Sequence, residues 1–305
     1  MILGAHLGIA KGLTQAVDDL RSIGGEALQI FSKSPQMWAG PPIAAAAAEA
    51  FRSAVRDRGV RATAVHHGYL ANLGSPKPDM LRRSRTAFLD EMRRAELLKV
   101  DGLIFHPGAH LGSGVDAGLR TIAVSLTEAL DAVPEGSVRL LLENAAGQGT
   151  TLGSTLEELA TVLAAVDRPD RLGVTLDTCH LFAAGIDFRT DDAYGALCDR
   201  IDRVLGRAAV RAFHLNDAKA ELGSHLDRHE NIGRGQIGSA GFAHLVRDPR
   251  WQTVPGYLET PLSGDGYAAY AADLATLRGL EGPSGPARPG SGRARRGTRG
   301  GRTPK

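Results

Sequence analysis

Six short apolar runs, AVHH, LIFHP, LLLEN, GVTLDTCH, RAFHLND and GYLET, each end on a side chain able to bind a metal or move a proton. Those residues are His66, His106, Glu143, Asp177, His214 and Glu259. Three more of the same types stand nearby: His180, just after Asp177, and the spaced pair Asp227 and His229 in a long polar segment. Imidazoles mixed with carboxylates suit zinc, manganese, iron or cobalt, whereas magnesium and calcium prefer all-oxygen sets. A single catalytic zinc uses about three protein ligands and keeps a position for water. Nine candidates therefore describe two or three divalent cations with a carboxylate shared between them. Such a site performs metal-assisted hydrolysis or isomerisation.

Each candidate has a bland reading. A lone His at a strand end is more often a hydrogen-bonded structural residue than a ligand. Six equivalent chain positions ending in ligand types are much harder to reach by chance. Gathering so many carboxylates without cations would also cost several kcal/mol each. Metal ligation is therefore the reading adopted for all nine. His67, His110, His225 and His244 are left structural, and Cys179, beside His180, is expected to pack in the core.

Side chains this far apart in sequence converge if the runs are parallel strands with their C-terminal ends together. Strand patterns fall near 2–6, 26–31, 61–66, 102–106, 138–143, 172–177, 210–215 and 256–259. Helical patterns fill the intervals, near 12–22, 43–58, 76–98, 116–132, 155–165, 190–204, 238–247 and 266–279. Ser154, Thr155 and Thr190 are good caps for the helices that follow them. Eight successive βα units predict an α/β fold of the (β/α)8 barrel (TIM) type, with chemistry at the C-terminal strand ends. No GxGxxG follows the first strand, so dinucleotide binding has no support. One connection is long: about twenty residues, AKAELGSHLDRHENIGRGQI, holding Asp227 and His229. Loops of that length are usually functional.

The 305 residues suit one barrel domain, expected over 1–280, and 43% of them are apolar. From Gly282 onward come six Arg and one Lys with no acid, in a Gly- and Pro-rich tail expected to be disordered over 281–305. Setting those seven aside from 36 basic residues leaves 29 against 34 acidic, so the body is near −5. The tail reads equally as a solvated extension or a nonspecific nucleic-acid arm. Two cysteines, Cys179 and Cys198, make no disulfide framework. No secretory signal is evident at the N-terminus, and no run nears ~18 apolar residues. A soluble, cytoplasmic protein without a membrane partner is expected, and a monomer suffices for the chemistry.

The motifs GAHLG, H-x-x-Y-L-x-N-L-G at 66–74, FHPGAH, ENAAGQG, LDTCHLFAAGID, FHLNDAK, LDRHENIGRGQIG and LET resemble the endonuclease IV family. These are apurinic/apyrimidinic endonucleases of base-excision repair. The resemblance runs in order from about residue 3 to 278. It implies three zinc ions at the barrel mouth. His66, His106 and Glu143 look like ligands of the first. Glu143 would bridge to a second held by Asp177, His214 and Glu259, and His180, Asp227 and His229 would hold the third. Tyr69 matches the aromatic residue that inserts at the lesion, with Asn72 following it. The family's loop after the second strand often carries Arg shortly before Trp. Here KSPQMW places Gln36 and Met37 before Trp38, so either could be the wedge.

The implied substrate is duplex DNA with an abasic site, cut 5′ to the lesion to leave a 3′-hydroxyl and a 5′-deoxyribose phosphate. Glu143 and Glu259 are the expected catalytic carboxylates, as bridge and as the group orienting or deprotonating water. Extruding a nucleotide without a base costs less than extruding an intact one, which supplies selectivity. Because the body is acidic, phosphate contacts must be local, and Lys33, Lys219, Arg228 and Arg234 are the candidates. Two alternatives remain: a divalent-metal sugar isomerase or epimerase on a similar barrel, and a non-catalytic lesion-binding protein. The first needs fewer metals and leaves His180, Asp227 and His229 without a role.

Overall fold

A computed structural model describes residues 1–282 except 263 and 265. The tail expected to be disordered lies outside the described residues from 283 on. The strands are β1 (Ile2–Leu7), β2 (Ala27–Phe31), β3 (Ala62–His66), β4 (Gly102–Phe105), β5 (Arg139–Glu143), β6 (Leu172–Asp177), β7 (Val210–His214), β8 (Asp217–Ala218), β9 (His229–Glu230) and β10 (Pro255–Leu258). The helices are α1 (Leu13–Ser22), α2 (Ala45–Asp57), α3 (Pro78–Leu98), α4 (Val115–Asp131), α5 (Leu156–Val166), α6 (Thr178–Ala183), α7 (Asp191–Val204), α8 (Gly238–Arg247) and α9 (Ala268–Glu281). Eight strands close into a parallel barrel in the order β1-β10-β7-β6-β5-β4-β3-β2, and β8 and β9 form a separate antiparallel ribbon. Seven crossovers carry the expected helices on the outside, and α9 follows the last strand, so the predicted (β/α)8 barrel is the observed one.

The barrel forms because each strand is apolar on both faces. Outward residues such as Leu28, Val65, Leu103, Leu142 and Phe213 pack under the apolar faces of helices, for example Ala16, Val17 and Leu20 of α1. Each such Leu contributes roughly 1.5–3 kcal/mol when fully buried. A second cluster comes from strands alone, Ile2, Ala27, Ala62, Ala64, Ile104, Leu141, Ala212 and Tyr257, and fills the interior. Small residues dominate it, which lets Tyr257 and Leu141 occupy the centre. Close approach is enforced at Gly4, where an added Cβ would lie 1.6 Å from the Ala27 carbonyl oxygen.

Alternation then fixes the site. Continuing the inward register places His6, Gln29, His66, Glu143, Asp177 and His214 above that interior layer, at the C-terminal end. The pairings His6 with Gln29, Phe31 with His66, and Asp177 with His214 hold them at one height. Helix starts follow the sequence caps: Thr155 Oγ1 accepts from Glu158 N at 3.2 Å while the Glu158 carboxylate accepts from Gly153 N at 2.6 Å. Two elements were not expected. The short helix α6 begins on Asp177, whose Oδ1 accepts from His180 N at 2.8 Å. The ribbon β8–β9 folds the long connection back over the barrel mouth.

Candidate metal centre

All nine expected ligands meet at the barrel mouth. Ligand-type atoms lie within 4.8 Å of one another in groups that include His66, His106 and Glu143; Glu143, Asp177, His214 and Glu259; and His180, Asp227 and His229. Glu143 belongs to the first two. Its Oε2 is 3.0 Å from His66 Nε2 and 3.4 Å from His106 Nδ1, while its Oε1 is 2.9 Å from His214 Nδ1. Asp227 faces the remaining pair, Oδ2 at 3.3 Å from His180 Nε2 and Oδ1 at 3.1 Å from His229 Nε2.

Three of the five imidazoles are oriented by backbone carbonyls. His66 Nδ1 donates to the His67 carbonyl at 2.7 Å, His180 Nδ1 to the Asn144 carbonyl at 2.8 Å, and His229 Nδ1 to the Glu259 carbonyl at 3.1 Å. With Nδ1–H committed, each ring turns its Nε2 lone pair to the carboxylates, the arrangement found around ligating histidines. Asn216 steadies two acids at once, donating to Asp177 Oδ2 at 2.7 Å and accepting from Glu259 N at 2.8 Å.

Electrostatics show what the cluster needs. Burial pushes the Glu143 carboxyl up, but His106 and His214 outweigh it and hold the group well below the usual range. Burial lowers His214, yet Glu259, Glu143 and Asp177 carry it up to about 9. His229 is likewise raised to about 9 against its burial, by Asp227 and Asp177. The buried acids thus stay ionised and demand positive charge between them. Nε2 of His180 and of His229 are buried without a hydrogen-bond partner, although a carboxylate stands beside each. Unpaired imidazole nitrogens aimed at ionised carboxylates fit divalent cations of the zinc type.

The expected DNA-side residues divide. Tyr69 is 64% exposed, with its ring 5.8 Å from Phe31 and 6.1 Å from His106, and Met37 is 51% exposed. Gln36 is exposed beside it. Trp38 is held under the Arg83 guanidinium, 4.4 Å from its ring centre. Lys219, Arg228 and Arg234 are exposed at the mouth and pair with no carboxylate among the described residues. Lys33 is a correction: it is buried, with its ammonium paired to Glu91 and 3.3 Å from Asp90, so it braces the loop from beneath. Asn72 is likewise committed, bonding Ala109 through Nδ2 to O at 2.9 Å and N to Oδ1 at 3.0 Å, which ties two loops together. Cys179 packs in the core as expected, within reach of Asp177 and His229 but bonded to the Arg228 carbonyl.

Sequence reasoning missed two polar residues here, His6 and Gln29, which touch Glu259. The available signal was a Gln inside the apolar strand ALQIF, in the same register as the ligands. It also missed Asp217, whose buried carboxylate gathers the amides of Gly233, Gly235 and Ile237 at 2.9 to 3.0 Å and so shapes the loop that carries Asp227 and His229.

Residues 17–280 match the family model described as the xylose isomerase-like TIM barrel. A "Probable endonuclease 4" from Chlorobium luteolum is 46% identical over 87% of this chain and 95% of its own length. Another from Chloroflexus aggregans is 42% identical over 86% and 92%. The crystal structure of endonuclease IV from Thermus thermophilus superposes with a TM-score of 0.81 at 34% identity, covering 92% of this chain and 98% of that one. A 3-keto-D-glucoside 4-epimerase from E. coli shares the fold, with a TM-score of 0.68, but at 16% identity nothing more. The barrel, the imidazoles and carboxylates gathered at its mouth and these relatives agree: the chain belongs to the endonuclease IV family of AP endonucleases that act in DNA repair.

Proposed function

We propose that this AP endonuclease uses three zinc ions, one per cluster, to hydrolyse the phosphodiester 5′ to an abasic site in duplex DNA. The observation that carries the reading is that Glu143 lies in two groups of candidate ligands, with a third group around Asp227 alongside. Bound there, the metals would supply Lewis acidity that makes water nucleophilic near neutral pH and offsets charge on the phosphate and the departing oxygen.

The chain's own groups do the rest. His66, His106 and Glu143 would hold the first metal, Glu143 with Asp177, His214 and Glu259 the second, and His180, Asp227 and His229 the third, and these cations would offset the charge of the phosphate. Glu259 is kept ionised, since His214 and His6 outweigh the upward push of burial. It orients the attacking water and accepts its proton. The oxygen adds to phosphorus as the bond from phosphorus to O3′ breaks; O3′ departs as an alkoxide and takes a proton from solvent water to become the 3′-hydroxyl, while the proton on Glu259 returns to solvent. The other product is the 5′-deoxyribose phosphate. Tyr69, its ring largely exposed but its phenol raised by partial desolvation and by the nearby Glu259, Glu143 and Asp227 carboxylates, stays neutral and offers a flat ring at the lesion. Met37 and Gln36 fill the gap left by the missing base, and Lys219, Arg228 and Arg234 bind flanking phosphates.

The test is incision of a duplex with one tetrahydrofuran site by zinc-loaded protein. The reading expects a single 5′ cut that chelation abolishes and zinc restores. Tight binding without cutting would favour a lesion-binding protein, and sugar epimerisation without cutting would favour the isomerase reading.

A further inference from the structure

Gln29 has no side-chain freedom and no solvent. It is 0% exposed in the middle of β2, and its register partner in β1 is His6. Both ends of its amide meet expected ligands of one cluster. Nε2 donates to Glu259 Oε1 at 2.6 Å, and Oε1 lies 2.8 Å from His214 Nε2. Nε2 also stands 2.9 Å from His6 Nδ1, which is itself 2.8 Å from Glu259 Oε1.

The direction of these bonds follows from acceptor chemistry. A carboxylate oxygen only accepts, so the amide end beside Glu259 must be the NH2. Turning the amide over would set two oxygens 2.6 Å apart. The carbonyl end therefore faces His214, and a carbonyl oxygen accepts but never donates. His214 Nε2 must carry the hydrogen. In the neutral ring, Nδ1 is then a bare lone pair. It points at Glu143 Oε1 at 2.9 Å, Glu259 Oε2 at 3.4 Å and Asp177 Oδ2 at 3.8 Å. A lone pair among three carboxylates is stable when a cation lies between them.

His66, His180 and His229 obtain the same service from backbone carbonyls. His214 has no such carbonyl at its Nε2, and Gln29 stands in its place. Resting on the zinc reading above, we propose that Gln29 is the positioning residue of the cluster formed by Glu143, Asp177, His214 and Glu259. It fixes His214 as the Nε2–H tautomer, so that Nδ1 is the ligand atom, and it pins Glu259 Oε1 so that Oε2 faces the cluster. Partners of this kind typically change metal affinity by about 10–100-fold.

The experiment compares wild type with Gln29→Met, which keeps the length but neither donates nor accepts. Zinc retained per chain is measured against a graded concentration of a competing chelator. One zinc of three should be lost at roughly 10–100-fold lower chelator strength in the variant, while the other two hold. In parallel, long-range 1H–15N spectra of the zinc-loaded wild type, with His214 assigned through its own substitution, should show a proton on Nε2 and none on Nδ1. This readout stands even if the variant does not fold. Unchanged zinc retention in a folded Gln29→Met protein, or a His214 protonated on Nδ1, would overturn the role of Gln29 and leave the nuclease reading intact. A wild type that holds no zinc overturns both.

Discussion

Some side chains at the mouth are shared between clusters, and others are committed to one partner. Glu143 is shared between two clusters, so its loss should be worse than the loss of a supporting partner. Glu143→Gln keeps the shape but removes the charge, and incision should fall by more than about 100-fold, read as single-turnover cutting of an abasic duplex. An activity within tenfold of wild type would mean the carboxylate does not bridge. Asp248 makes a separate case away from the mouth. Burial pushes its carboxyl up, but Arg250 and the Tyr194 hydroxyl, which donates at 2.7 Å, bring it below its ordinary value. A depressed folded value contributes stability above the unfolded pKa of ~3.9 that disappears as pH falls through the folded one. Asp248→Asn should therefore be less stable than wild type by about 1–3 kcal/mol at pH 7. The gap should close below about pH 4 in urea melts. Six of the nine candidate ligands were legible as residue types at strand ends, and His180, Asp227 and His229 from their proximity and spacing. Lys33 was misplaced at the DNA surface because a one-letter code does not show that Glu91 lies under it, and the bonds that tie Asn72 to Ala109 were equally invisible.

At the element scale, strands and helices were readable because apolar period and caps agreed. The observed bounds differ from the expected ones by a residue or two. What was not legible is short or nonlocal. The six residues of α6 are too few for a helical period, although Asp177 capping His180 is a local signal. The ribbon β8–β9 depends on Asp217, which bonds to amides sixteen or more positions away. That carboxylate is the strut of the loop presenting Asp227 and His229. Asp217→Ala would strand several amides, each worth about 1–3 kcal/mol when unsatisfied. Urea melts should show a loss of at least about 2 kcal/mol, and one of the three zinc ions should wash out on dialysis. Full zinc retention would detach the third cluster from this loop. A second strut is Arg94, whose guanidinium bonds the Ser32 carbonyl at 2.6 Å and the Pro41 carbonyl at 2.9 Å, closing the loop that carries Gln36, Met37 and Trp38.

The barrel gathers four carboxylates and five imidazoles into one largely buried mouth, where cations would offset the charge of the ionised acids. Ligands that bind the folded state alone stabilise it by mass action, about 2.7 kcal/mol at a hundred times the dissociation constant. Chelation should therefore lower Tm by several degrees, in a manner reversed by zinc and not by magnesium. No helix among the described residues is long and apolar enough to cross a membrane. Lys219, Arg228 and Arg234 are exposed and pair with no carboxylate among the described residues, which is why they are the proposed phosphate contacts of an otherwise acidic body. If nine scattered side chains hold three metals at that mouth, anomalous diffraction at the zinc edge from a zinc-loaded crystal will locate each of them. Three peaks are predicted: one among His66, His106 and Glu143, one among Glu143, Asp177, His214 and Glu259, and one among His180, Asp227 and His229. A single peak, or peaks elsewhere with these side chains bonded to one another as before, would contradict it.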